Sequence, residues 1–130
     1  MAQTDNPATK IEIQPLFATP VAFAPWPKSE AINATLRETI LARSENHPST
    51  AHSNLGGWQS SWDLPEWGGD ETRYLLAFVR QLGDKFTADR TGQPAPQTWR
   101  LNAWANINRA GHGNEFHTHP DCMWSAVYYV

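Results

Sequence analysis

Hydrophobic positions along the chain change their period from front to back. In "SEAINATLRETILAR", Ile32, Leu36 and Ile40 recur every four residues, a spacing that lines up one face of an α-helix. Ser29 precedes this stripe as a capping residue, because its hydroxyl can accept a bond from a free N–H of the first turn. The spacing predicts a first helix over residues 29–43. A second starts near Asp70, where Tyr74, Leu75, Phe78, Val79, Leu82 and Phe86 share one wide stripe. That stripe suits core packing, and Gly92 suits the end of the segment. Between them, "SENHPSTAHSN" reads as a polar connector. In "GGWQSSWDLPEW" the Gly pair and Pro65 point to an ordered loop, not a regular element.

The final third switches to a period of two. In "TWRLNAWANIN", Trp99, Leu101, Ala103, Ala105 and Ile107 alternate with Arg100, Asn102, Trp104, Asn106 and Asn108, which predicts a strand with one apolar and one polar-aromatic face. "RAGHGN" supplies a turn. The closing "MWSAVYYV" is β-branched and aromatic, so a further strand is expected, with Ser125, Val127 and Tyr129 on one side and Trp124, Ala126 and Tyr128 on the other. Near the start, Ile11, Ile13, Val21 and Phe23 alternate as edge strands would, with Pro15 and Pro20 barring them from a central ladder. The expected class is α+β, with two helices ahead of a β-rich region. Residues 1–10 are a polar leader, and residues 11–130 form one domain.

Composition narrows the classes. The 130 residues carry ten Lys and Arg against 13 Asp and Glu, a net charge of −3. The basic residues are scattered, so no stripe offers itself to a phosphate backbone, and nucleic acid is not an expected partner. No apolar stretch near the start has signal-peptide or membrane-spanning length, and the single cysteine, Cys122, cannot form an internal disulfide. Together these place the chain in a reducing, cytoplasmic setting without a membrane partner. Seven tryptophans can serve as core filler or as flat walls of a binding site.

Candidate chemistry gathers in "NEFHTHPDCMWSAVYYV". On an extended segment, side chains two apart point to one side, so His117 and His119 can aim ring nitrogens at one metal ion. Asp121 adds a carboxylate within reach, and Pro120 stiffens the link. His112, between two glycines, reads as an exposed turn residue, and His47 and His52 as solvated parts of the connector.

Four pieces in order, "PLFATPV", "GGWQS", "AWANINRAGHGNEFHTHP" and "WSAVYYV", resemble the iron(II)/2-oxoglutarate-dependent oxygenases of bacteria over residues 15–130. The resemblance implies helices bracing a double-stranded β-helix, or jelly roll. It implies Fe(II) held by a facial triad and 2-oxoglutarate as co-substrate, with oxidative decarboxylation to succinate and CO₂ driving hydroxylation of a small-molecule or peptide substrate. His117 matches the first iron ligand. His119 stands where most of the superfamily has a carboxylate, so either it is the second ligand or Asp121 takes that place. Tyr129 resembles a tyrosine that reaches 2-oxoglutarate from inside the barrel, and Asn106 sits where a polar side chain would face the co-substrate; a packed aromatic and a plain ladder or turn residue are the alternatives. Trp58 and Trp104 stand either as pocket walls or as core, and Ser125 and Asn114 as partners steadying the imidazoles. The family's distal histidine and its 2-oxoglutarate-binding arginine would lie beyond Val130. The expectation is therefore a partial jelly roll, truncated at the C-terminus, inactive by itself and prone to self-association through its last strand. A cupin-like metal protein without 2-oxoglutarate chemistry, and a non-catalytic aromatic binding module built on Trp58, Trp62 and Trp67, are the alternative classes.

Overall fold

A computed structural model describes residues 18–26, 29–95 and 97–130. Its elements are helix α1 (Ser29–Asn46), strands β1 (Asn54–Leu55) and β2 (Trp58–Gln59), helices α2 (Leu64–Trp67) and α3 (Gly69–Phe86), and strands β3 (Asn106–Ile107) and β4 (Gly113–Asn114). The class is mixed α+β. The two sheets are two-stranded and antiparallel, β1 with β4 and β2 with β3. The leader and the expected strand positions Ile11, Ile13 and Pro15 lie outside the described residues.

Helix α1 buries Leu36, with Ile32 and Ile40 half-buried a turn to either side. It runs three residues past Arg43 because side chains satisfy its last carbonyls. Ser44 Oγ donates to the Leu41 carbonyl, Asn46 Nδ2 to that of Ala42, and the His47 ring bonds that of Arg43. Pro48 then disfavours helical backbone at His47.

Helix α3 begins at Gly69, close to the expected Asp70. Leu75, Phe78, Val79 and Leu82 are half-buried, while Tyr74 and Phe86 at the stripe's edges are exposed. The helix stops at Phe86, not near Gly92. Thr87 leaves it in extended conformation with its N–H still bonded to the Gly83 carbonyl. Gly92 belongs instead to a turn, at φ +82°, where Asp89 Oδ1 accepts from the N–H groups of Thr91 and Gln93. The Thr91 hydroxyl, donating to the same oxygen at 2.7 Å, and after it those backbone bonds hold the Asp89 carboxyl below its ordinary value.

The stretch expected to be a loop carries a short helix as well as β2. Pro65 sits in the first turn of α2, where its missing N–H costs nothing. A Cβ on Gly68 would collide with Thr72 Oγ1 and the Leu64 carbonyl, so glycine is what allows α2 and α3 to meet.

The expected strand over residues 99–108 is realised in part. Only Asn106 and Ile107 pair with β2, and Ala103 makes a single parallel bridge with Asp63. Between them Ser60 and Ala105 lock together: Ser60 N–H donates to the Ala105 carbonyl, and Ala105 N–H donates to Ser60 Oγ, both at 3.0 Å. Both residues are buried. No strand forms at Val21 and Phe23, whose side chains face solvent, and none forms over residues 123–130. A strand exists through its ladder, and among the described residues neither stretch has a partner. Trp124 and Tyr128 nonetheless pack inward. Trp124 Nε1 donates to Thr87 Oγ1 at 2.8 Å, Tyr128 Oη to Asn33 Oδ1 at 2.6 Å, and Trp26 packs edge-on against Tyr128.

The core is thin. Among the described residues only Leu36, Leu64 and Ala105 are apolar and fully buried, beside the polar Gln59, Ser60, Thr72 and Thr87. A half-buried ion pair lies at its edge: Arg43 meets Asp63 at 3.2 Å and lies over the Trp67 ring. Trp67 Nε1 donates to the same carboxylate, and this bond more than any other contact holds Asp63 below its ordinary value.

Candidate functional site

The His117–His119 segment is carried by the β1–β4 pair. Asn114 closes that ladder opposite Asn54, and Glu115 N–H extends it by donating to the Ser53 carbonyl at 2.7 Å. Asn114 Nδ2 also donates to Ser53 Oγ. The backbone is thus held one residue before Phe116, and the histidines project from a fixed point.

Their geometry is specific. The His117 and His119 ring centroids are 4.8 Å apart with planes at 75°. His117 Nδ1 lies 2.7 Å from the Glu115 carbonyl oxygen. A carbonyl can only accept, so Nδ1 carries the proton and Nε2 of the neutral ring presents its lone pair. Such a bond from one ring nitrogen to a carbonyl is the usual way a metal-ligating imidazole is oriented.

His119 is fixed by a turn on one side and an aromatic ring on the other. Its carbonyl accepts from Cys122 N–H at 3.3 Å, with Pro120 and Asp121 at the corners. Asp121 sits at φ +61°, a left-handed conformation that aspartate tolerates better than most residues. The expected stiffening by Pro120 takes this form. The Trp104 ring lies 6.1 Å from that of His119, Trp62 lies 6.1 Å beyond Trp104, and His52 stacks on Trp62 at 5.4 Å. A row of five rings results, from the connector to the histidine pair.

Other expected site residues are elsewhere. Asn106 is exposed on β3, and Tyr129 is 86% exposed. Neither makes a side-chain hydrogen bond among the described residues, and Tyr129 has no ring contact with the pair. Among the described residues no group of three His, Cys, Asp and Glu side chains could hold a metal ion, so Asp121 does not complete a site with the two histidines. Trp58 packs away from them, with Nε1 donating to the His47 carbonyl. His52 is the member of the row that sequence reasoning missed. Its place in a polar connector carries no signal, since stacking on Trp62 depends on how the loop folds back.

No family model, curated protein or solved structure matches this chain. Among the described residues no helix is long and apolar enough to cross a membrane.

Proposed function

We propose that His117 and His119 are two protein ligands of an Fe(II) centre in a 2-oxoglutarate-dependent oxygenase, and that the helices brace part of a jelly roll. The observation that carries the reading is the paired imidazoles 4.8 Å apart, with the His117 proton committed to the Glu115 carbonyl. Two imidazoles suit a borderline cation such as Fe(II) and fill two positions of a facial site, which needs one more ligand. When bound, iron and 2-oxoglutarate supply the oxidising power for substrate hydroxylation, with release of succinate and CO₂. The chain's own work is orientation. Glu115 fixes the His117 tautomer, Trp104 limits rotation of His119, and the Pro120–Asp121 turn holds the backbone just after His119.

The test is anaerobic titration with Fe(II), or with Co(II) as a spectroscopic stand-in. His117→Ala and His119→Ala should each weaken uptake by at least about 100-fold, more than loss of a supporting contact would, while Asp121→Ala keeps most of it. Unchanged uptake in His117→Ala removes the assignment. Metal uptake without 2-oxoglutarate-dependent succinate formation would favour the cupin-like alternative. The row of His52, Trp62 and Trp104, with Trp62 54% exposed, supports a second reading, an aromatic surface that binds without metal.

A further inference from the structure

A second feature owes nothing to the histidine pair. Between α1 and the β2–β3 ladder lies an open hollow of about 260 Å³, with Leu41, Trp58 and Ile107 as its apolar walls and Arg109 and His112 at its polar side. Its shape depends on backbone that only glycine accepts readily. Gly56 and Gly57 both stand at φ +68°, and the His112 ring lies against them; a Cβ on Gly57 would come within 2.5 Å of Asn108 Oδ1 and 2.7 Å of the Ile107 carbonyl.

The polar atoms there are mostly donors. His112 Nδ1 accepts from the Arg109 N–H at 3.3 Å, which puts the proton of the neutral ring on Nε2. That N–H and the Arg109 guanidinium have no protein acceptor among the described residues, and no carboxylate lines the hollow. Ser44, the remaining polar lining residue, already donates its hydroxyl to the Leu41 carbonyl. An arginine fork beside an aromatic and aliphatic wall matches a carboxylate attached to an apolar body. The volume lies just under the range of roughly 300–1,000 Å³ common for ligand pockets, so the body must be small.

We propose that this hollow binds a small organic carboxylate with an apolar body, a single ring or a short branched chain, its carboxylate on Arg109 and His112 and its body against Trp58, Leu41 and Ile107. Benzoate is the probe, with benzyl alcohol and benzylamine as neutral and cationic controls. The readouts are the amide shift of Gly57 and the indole N–H shift of Trp58 in ¹⁵N-labelled protein of residues 1–130. Benzoate should shift both saturably, and the two controls should bind at least about tenfold more weakly, as loss of a charge-assisted bond requires. Arg109→Gln should weaken benzoate by a similar factor and leave benzyl alcohol unchanged. Leu41→Glu, which sets a carboxylate at the wall from an exposed helix position, should act in the same direction. Equal binding of benzoate and benzyl alcohol, no saturable shift at all, or full benzoate affinity in Arg109→Gln would overturn the proposal. Arg109 is exposed, so that variant decides the matter even if Leu41→Glu fails to fold.

Discussion

Residues 99–108 turn Leu101, Ala103, Ala105 and Ile107 inward and residues 123–130 turn in Trp124 and Tyr128, yet the two are held in different ways. The first is tied through its backbone. Ala103 bridges Asp63, Ala105 exchanges bonds with Ser60, and Asn106 and Ile107 pair with β2. The second is tied through side chains alone, by Trp124 on Thr87 and Tyr128 on Asn33, with no backbone bond to another element among the described residues. Alternation therefore tells which face turns inward, while a ladder needs a second strand that the alternating segment does not encode. The two attachments should also respond differently to mutation.

The largest effect is expected at Ser60. Ser60→Ala removes only the hydroxyl and leaves the buried Ala105 N–H without its acceptor, which should cost about 1–3 kcal/mol. A lower urea midpoint at unchanged slope is the measurement that checks it. A shift under about 0.5 kcal/mol would mean that the backbone attachment is no firmer than an ordinary surface contact.

Tyr128→Phe tests the side-chain attachment. It keeps the ring against Trp26 and removes only the bond to Asn33, for an expected loss of about 0.5–1.5 kcal/mol in the same assay. A loss exceeding that of Ser60→Ala would reverse the order of the two segments.

The smallest effect is expected on the outward side of the second segment. Val127 and Tyr129 are 75% and 86% exposed, so Val127→Ser and Tyr129→Ser should each stay within about 0.5 kcal/mol of the parent. A larger loss that grows with protein concentration would show a second copy covering this face, the self-association expected of an unpaired edge.

The long helices were legible because an apolar spacing repeated over several turns, Ile32, Leu36 and Ile40 in α1 and a wider stripe in α3, averages out local exceptions. Their ends were less so. The α1 end depends on side chains folding back onto carbonyls, and the α3 end on Thr87 being pulled into the interior. Short α2 and the two-residue strands β1, β2 and β4 escaped because a Pro or a Gly pair marks a turn equally well, and because their partners lie far off in sequence. At the candidate site, the spacing of His117 and His119 was enough to name the pair. The Glu115 carbonyl, the Trp104 ring and the His52–Trp62 stack were beyond it, since each depends on the path of a loop in space.

The hydrogen bond from Tyr128 to Asn33 joins residues 95 apart, and that separation has a kinetic meaning. Closing so long a loop is entropically expensive, though the cost rises by only about 0.6 kcal/mol per doubling of length. The helical turns of α1 and α3 can form on local contacts alone, well before the tail meets them. Docking of Trp124 and Tyr128 is therefore expected as a late step of folding. Mutations there should hasten unfolding and leave the refolding rate almost untouched.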